Sequence, residues 1–162
     1  IRRERNDCNG GSLRFYAAKQ GSAKLQEPLR PHGRTSPWDW MKFAERVQRS
    51  SIEIGEFLEK NADKIIHLLG ASTKANTWLQ AVAAKGFIQA ASDRDPRKVG
   101  RMTPGTHIPI ISEEESRAMK PDVYVVGPWQ FKDEIVAREA KFLQDGGRLV
   151  FPLPDFSEVT NA

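Results

Sequence analysis

The sequence predicts an α/β fold, an open and mostly parallel sheet of about four to five strands flanked by helices, with an N-terminal arm. Apolar runs at residues 64–69, 87–91, 123–126 and 148–153 are mostly continuous rather than alternating, as strands covered on both faces require. Helical patterns at residues 73–84 and 131–144 separate them, and each is followed by a glycine stop, Gly86 and then Gly146-Gly147. The first run also passes through a turn of small residues into a helix, the unit of a Rossmann-like fold.

Each element has a local reason. In residues 1–35, read as an arm and linker, Ser12-Leu13-Arg14-Phe15-Tyr16-Ala17 roughly alternates and suits a half-exposed strand after the Gly10-Gly11 turn. Such a strand must pair with a sheet, either of this domain or of another. Residues 21–33 read as an irregular linker, and the whole arm is expected to be mobile. Residues 36–60 form a leading amphipathic helix: Ser36 caps it, Pro37 fits its first turn, and Asp39 lies at its positive end. Its stripe is Met41, Ala44, Val47, Ser51, Ile54 and Leu58, and Asn61 stops it. Residues 61–157 hold the α/β domain. In the helix at 131–144, Phe131, Ile135, Val136, Ala140, Phe142 and Leu143 mark the buried side, and a helical turn at 113–119 precedes the third strand.

Composition narrows the function. With 162 residues, 39% hydrophobic and 28% charged, the chain suits one globular domain with an appendage, or one domain plus part of a neighbour. The net charge of +4 and pI of about 9.3 suit an anionic small ligand. Much of the excess sits at Arg2, Arg3, Arg5, Arg14, Lys19 and Lys24 and the rest is scattered, so nucleic acid is not an expected partner. The lone Cys8 rules out an intrachain disulfide, and a reducing cytoplasm is the simplest location. No apolar run approaches the ~20 residues that span a membrane, and no membrane partner is expected. The chain does not begin with Met and is read as cut or processed from a longer protein.

The strongest local signal is Gly70-Ala71-Ser72-Thr73-Lys74-Ala75-Asn76-Thr77, where small residues let a ligand approach the backbone at a helix N-terminus. Ser72, Thr73, Asn76 and Thr77 add short polar groups and Lys74 a charge. The segment is neither GxGxxG nor a Walker loop, and it reads either as an anion site or as a tight turn capped by Ser72 or Thr73. Asp93 follows Gly70 by 23 residues, where dinucleotide folds place an acid on ribose; otherwise it is a surface turn residue. In the Thr103-Pro104-Gly105-Thr106-His107-Ile108-Pro109-Ile110 loop, His107 is either a base or phosphate donor or a structural group. His67 and His32 read as structural or incidental, and no metal-ligand spacing occurs. Trp129, in Gly127-Pro128-Trp129-Gln130-Phe131, either stacks on a base or sugar or tucks the loop onto the core. The acidic Gly-rich strand–turn of an S-adenosylmethionine site is missing, so no cofactor is expected in this chain.

Together, four segments resemble the C-terminal domain of S-adenosylmethionine-dependent C-methyltransferases acting on nucleotide-linked deoxysugars. They are residues 70–77, residues 103–110, Pro128-Trp129-Gln130-Phe131 with Asp133-Glu134-Ile135, and residues 146–154. Gly10-Gly11-Ser12-Leu13-Arg14 is similar to the last strand of that family's preceding methyltransferase domain, and the resemblance covers about residues 9–155. It implies a domain that faces a nucleotide-linked sugar across a cleft shared with that preceding domain, which carries the S-adenosylmethionine and the catalytic base. Gly70, Ala71, Ser72, Thr73, Lys74, Asn76 and Thr77 would face the substrate, with Asp93, Thr106, His107, Trp129 and Gln130 as further candidates. Ala75 stands where the family often has Gly, and Gln130 where it often has His. The isolated chain is then expected not to methylate anything. The competing reading is a non-catalytic nucleotide- or CoA-binding Rossmann-like module.

Overall fold

The computed structural model describes residues 2–6, 8, 11–17, 19, 36–82, 84 and 86–161. The expected linker with its His32, Gly10, and most of the residues on which mobility was expected lie outside that set. The chain divides into two compact units, Ile1–Lys42 and Phe43–Ala162.

In the first unit, β1 (Arg2–Asn6) pairs antiparallel with β2 (Ser12–Tyr16) in a two-stranded sheet of its own. The strand expected at residues 12–17 therefore finds a local partner rather than joining the main sheet. That partner, Arg-Arg-Glu-Arg-Asn, has no apolar residue and gives no strand signal in the sequence.

The α1 helix (Pro37–Lys60) begins in the first unit and continues into the second. Asn61 ends it: its side-chain amide donates to the Phe57 carbonyl at 2.7 Å, and its Oδ1 accepts from Arg148. The expected apolar stripe is buried only at its C-terminal end, at Ile54 and Leu58, where Phe57 is buried too, whereas Val47 is 41% exposed. A 24-residue helix is ~36 Å long, while a four-residue strand spans ~13 Å, so such strands cannot cover all its turns.

The second unit is a six-stranded sheet in the order β5-β4-β3-β6-β7-β8. Its strands are β3 (Ile66–Leu69), β4 (Ile88–Asp93), β5 (Ile110–Ser112), β6 (Val123–Val126), β7 (Arg148–Phe151) and β8 (Ser157–Val159). All neighbours are parallel except β7 and β8. The Rossmann-like expectation is met, with β5 and β8 added to the expected strands. On one face, α1 and α2 (Thr73–Ala81) bury Ile54, Leu58, Trp78 and Leu79 against Ile66, Leu68, Val123 and Val125. On the other face lie α3 (Glu113–Ala118), α4 (Lys132–Arg138) and α5 (Ala140–Gln144), where Ile135 and Leu143 pack on Leu69, Tyr124, Val126 and Phe151.

The helix expected over 131–144 is divided into a 3-10 turn at Trp129–Phe131, α4 and α5. The break falls at Glu139, whose buried carboxylate is fixed by Arg117 and Arg138, both at 2.9 Å. Phe131, expected on the buried side, is 39% exposed. Among the described residues no helix is long and apolar enough to cross a membrane.

Candidate functional site

The strand order reverses at β3: the chain runs outward through β4 and β5, then returns to place β6 on the other side of β3. At such a switch point the loops leaving the two central strands diverge and open a crevice at their carboxyl ends. Here the two loops lock together first. Gly70, at φ +87°, accepts from the Ser72 N–H at 2.8 Å and donates to the Ser92 carbonyl at 2.8 Å. A side chain on Gly127 would lie 2.3 Å from the Gly70 carbonyl oxygen and 2.8 Å from the Ala75 Cβ. One on Gly70 would meet the Pro128 ring at 2.7 Å. The absence of two side chains thus lets the turn after β3 pack directly on the turn after β6.

Helix α2 starts from this contact. Ser72 Oγ accepts from the Ala75 N–H at 3.1 Å, so it serves as the N-cap, with the positive end of the helix dipole beside it. Ser72 also lines an adjoining cleft of about 460 Å³, bounded by Leu69, Gly70, Asp93, Arg94, Glu113 and Pro128, and by Phe131, Glu134, Ile135 and Arg138 of the α4 side. The capping reading of this turn is met by Ser72, and the same residue lines the crevice.

The charges around the cleft are largely paired. Glu113 meets Arg117 at 3.2 Å, Arg138 at 3.3 Å and Arg94 at 3.9 Å. Asp93 holds Lys98 at 2.7 Å through Oδ2 and accepts from the Asp95 N–H through Oδ1. Asp93, read either as a ribose contact or as a surface turn residue, lines the cleft with both carboxylate oxygens already engaged.

Other sequence candidates take varied positions. Lys74 carries its ammonium over the Trp129 ring, 5.2 Å from the centroid, so the two loops also meet through these side chains. Trp129 packs at the same time against the core of Tyr124 and Phe151. Thr77 bonds back to the Thr73 carbonyl at 3.0 Å along α2. The amide oxygens of Asn76 and Gln130 are buried with no hydrogen-bond partner among the described residues. Thr106 and His107 do not line the cleft. Their loop is closed by Thr103, whose hydroxyl lies 2.7 Å from that of Thr106, and Gly105 abuts Gln80 of α2. His107 sits at φ 56°, a left-handed conformation uncommon for a side-chain-bearing residue. Sequence reasoning missed Arg94, Glu113 and Arg138. Arg94 and Glu113 had an available signal: each directly follows a strand's last residue, Asp93 or Ser112.

Behind the cleft, His67 is fully buried on β3. Its Nδ1 lies 2.8 Å from Ser116 Oγ, which lies 2.9 Å from the Tyr124 hydroxyl, while its Nε2 has no partner among the described residues. The structural role read for this histidine is what the geometry provides. Burial lowers the His67 pKa from its ordinary 6.5 and raises that of Tyr124. In the window between the lowered pKa and 6.5, the unfolded chain therefore binds a proton that the folded chain refuses. The stability tied to His67 is complete above that window and declines as pH falls through it, with a slope of at most ~1.4 kcal/mol per pH unit. Urea denaturation of wild type and His67→Gln at several pH values between 7.5 and 5 checks this. The variant is expected to have the shallower dependence.

Comparison with known proteins gives two findings. A family model described as the C-methyltransferase C-terminal domain matches residues 7–154. The chain is also 31% identical over 160 residues to the C-methyltransferase NovU of Streptomyces niveus; the match covers 92% of this chain and 38% of the relative.

Proposed function

The chain belongs to the C-methyltransferase C-terminal domain family, and from that premise we propose that it is the substrate-side domain of an S-adenosylmethionine-dependent sugar C-methyltransferase. It binds the nucleotide-linked sugar and presents it to a methyltransferase domain preceding it in the parent chain. The observation that carries this reading is the crevice at the switch point. The N-terminus of α2 meets it through Ser72, and Lys74 is held over Trp129 beside it. A helix N-terminus with an ammonium close by suits a diphosphate.

The reaction needs a proton removed next to the sugar carbonyl, an oxyanion stabilised there, and attack of the carbanion on the cofactor methyl. Asp93 and Glu113 of this cleft are occupied by Lys98 and by arginines. The proposed division of labour puts base and methyl donor on the preceding domain, as the family resemblance implies, and binding and orientation on this chain.

Incubated alone with S-adenosylmethionine and a dTDP-linked keto-sugar, the 162 residues are expected to transfer no methyl group. The same segment joined to a family methyltransferase domain is expected to be active. Product formation by the isolated chain would contradict this division.

A further inference from the structure

We infer that Lys98 is a positioning residue of the cleft, holding the turn after β3 in the shape that receives a ligand; the inference rests on the functional reading above. Lys98 belongs to the connection between β4 and β5, outside every segment that points to a site in the sequence. Its ammonium donates to the Ala71 carbonyl at 3.1 Å and to Asp93 Oδ2 at 2.7 Å. One group thus joins the end of β4 to the turn after β3.

The turn needs this tether. Ala71 is buried, and a buried carbonyl requires a donor. Its neighbours are satisfied from within: Gly70 O by the Ser72 N–H, and Ser72 O by the Asn76 N–H at 3.0 Å. The Ala71 carbonyl instead takes its donor from Lys98, 27 residues away. That bond fixes the peptide plane between Ala71 and Ser72, and with it the Ser72 side chain that lines the cleft.

Lys98 is itself held in place. Its backbone N–H donates to the Asp95 carbonyl at 3.0 Å, and the Asp95 side chain accepts from the Arg97 N–H at 3.0 Å. Two residues further on, Gly100 donates to Ile110 of β5 at 2.9 Å. Among the described residues Lys98 is the cation that pairs with Asp93, whose side chain is 12% exposed. The pair therefore acts on the shape of the cleft and not only on the charge at its edge.

The test uses Lys98→Met, Lys98→Arg and a control remote from the turn. Arg148→Met fits the control, since it breaks the bonds to Asn61 and Glu158 near the ends of α1 and β8. Each full-length chain is titrated calorimetrically with dTDP-glucose, and amide exchange is followed at Gly70 and Ser72. Loss of a charge-assisted hydrogen bond predicts about tenfold weaker binding for Lys98→Met. Faster exchange at Gly70 and Ser72 is expected with it. Lys98→Arg should recover most of the affinity, and Arg148→Met should keep wild-type affinity despite its lower stability. If Lys98→Met does not fold, Lys98→Gln, which keeps a neutral donor, is read the same way.

Affinity unchanged in Lys98→Met, or an equal loss in Arg148→Met, would overturn the inference while leaving the functional reading intact. If wild type binds no dTDP-glucose, the functional reading fails, and exchange decides the tether alone. Unchanged exchange at Gly70 and Ser72 would then refute it.

Discussion

Gly127→Ala is expected to cost about 3 kcal/mol of stability, the upper end of the range for overpacking, and to abolish ligand binding. The new methyl group would lie 2.3 Å from the Gly70 carbonyl oxygen and 2.8 Å from the Ala75 Cβ. One of those atoms is backbone and the other has no rotamer, so neither can swing aside. The backbone is also pinned, because the Gly127 N–H donates to the Leu69 carbonyl at 2.9 Å as the last rung beside the Leu69–Val126 register. The turns after β3 and β6 must therefore separate, and they bring together the helix N-terminus, Lys74 and Trp129. Urea denaturation measures the first effect and titration with dTDP-glucose the second. Gly55→Ala is the control: it lies within α1 with nothing within 4 Å of the added carbon, and a gain of about 0.5–1 kcal/mol is expected.

Glu139→Ala is expected to cost about 2 kcal/mol. The Glu139 carboxylate is 3% exposed and accepts from Arg117 and Arg138, so its removal leaves two cations without their closest acceptor. Both arginines reach solvent and also touch Glu113, which keeps the cost below that of a stranded buried charge. The residue also marks the division between α4 and α5, so loosening should appear there first. Amide exchange across residues 132–144 is expected to rise more than exchange in β3 or β6. Uniform acceleration across the sheet would mean that Glu139 supports global stability only.

The parallel core was legible because strands covered on both faces are apolar throughout. Val123-Tyr124-Val125-Val126 admits little else, and its four residues are all buried. The edges were harder to read. Ser157-Glu158-Val159 covers only three positions, two of them polar, which suits an edge strand and equally a loop. Ile110-Ile111-Ser112 is hidden between a proline-bearing loop and a helix cap. The break at Glu139 was illegible for another reason: the apolar spacing of Ile135, Val136 and Leu143 continues across it, and the carboxylate at the break is held by Arg117 on a different helix.

The same contrast governs the site. Local chemistry made the 70–77 turn and Asp93 visible, since small residues and strand ends are sequence features. The engagement of Asp93 by Lys98, and the meeting of Arg94, Arg138 and Glu113, depend on which elements the sheet brings side by side. Pairing across elements has no fixed spacing in the chain and leaves no periodic signal.

The central claim is that the switch-point crevice receives a nucleotide-linked sugar. Amide and indole resonances of the labelled chain, followed through titrations with dTDP-glucose, NAD and CoA, test it most directly. Saturable shifts with dTDP-glucose at Gly70, Ala71, Ser72, Thr73, Asn76 and Asp93 and at the Trp129 indole, with none from NAD or CoA, are predicted. An unperturbed 70–77 turn at saturating dTDP-glucose, or a stronger response there to NAD or CoA, would contradict it.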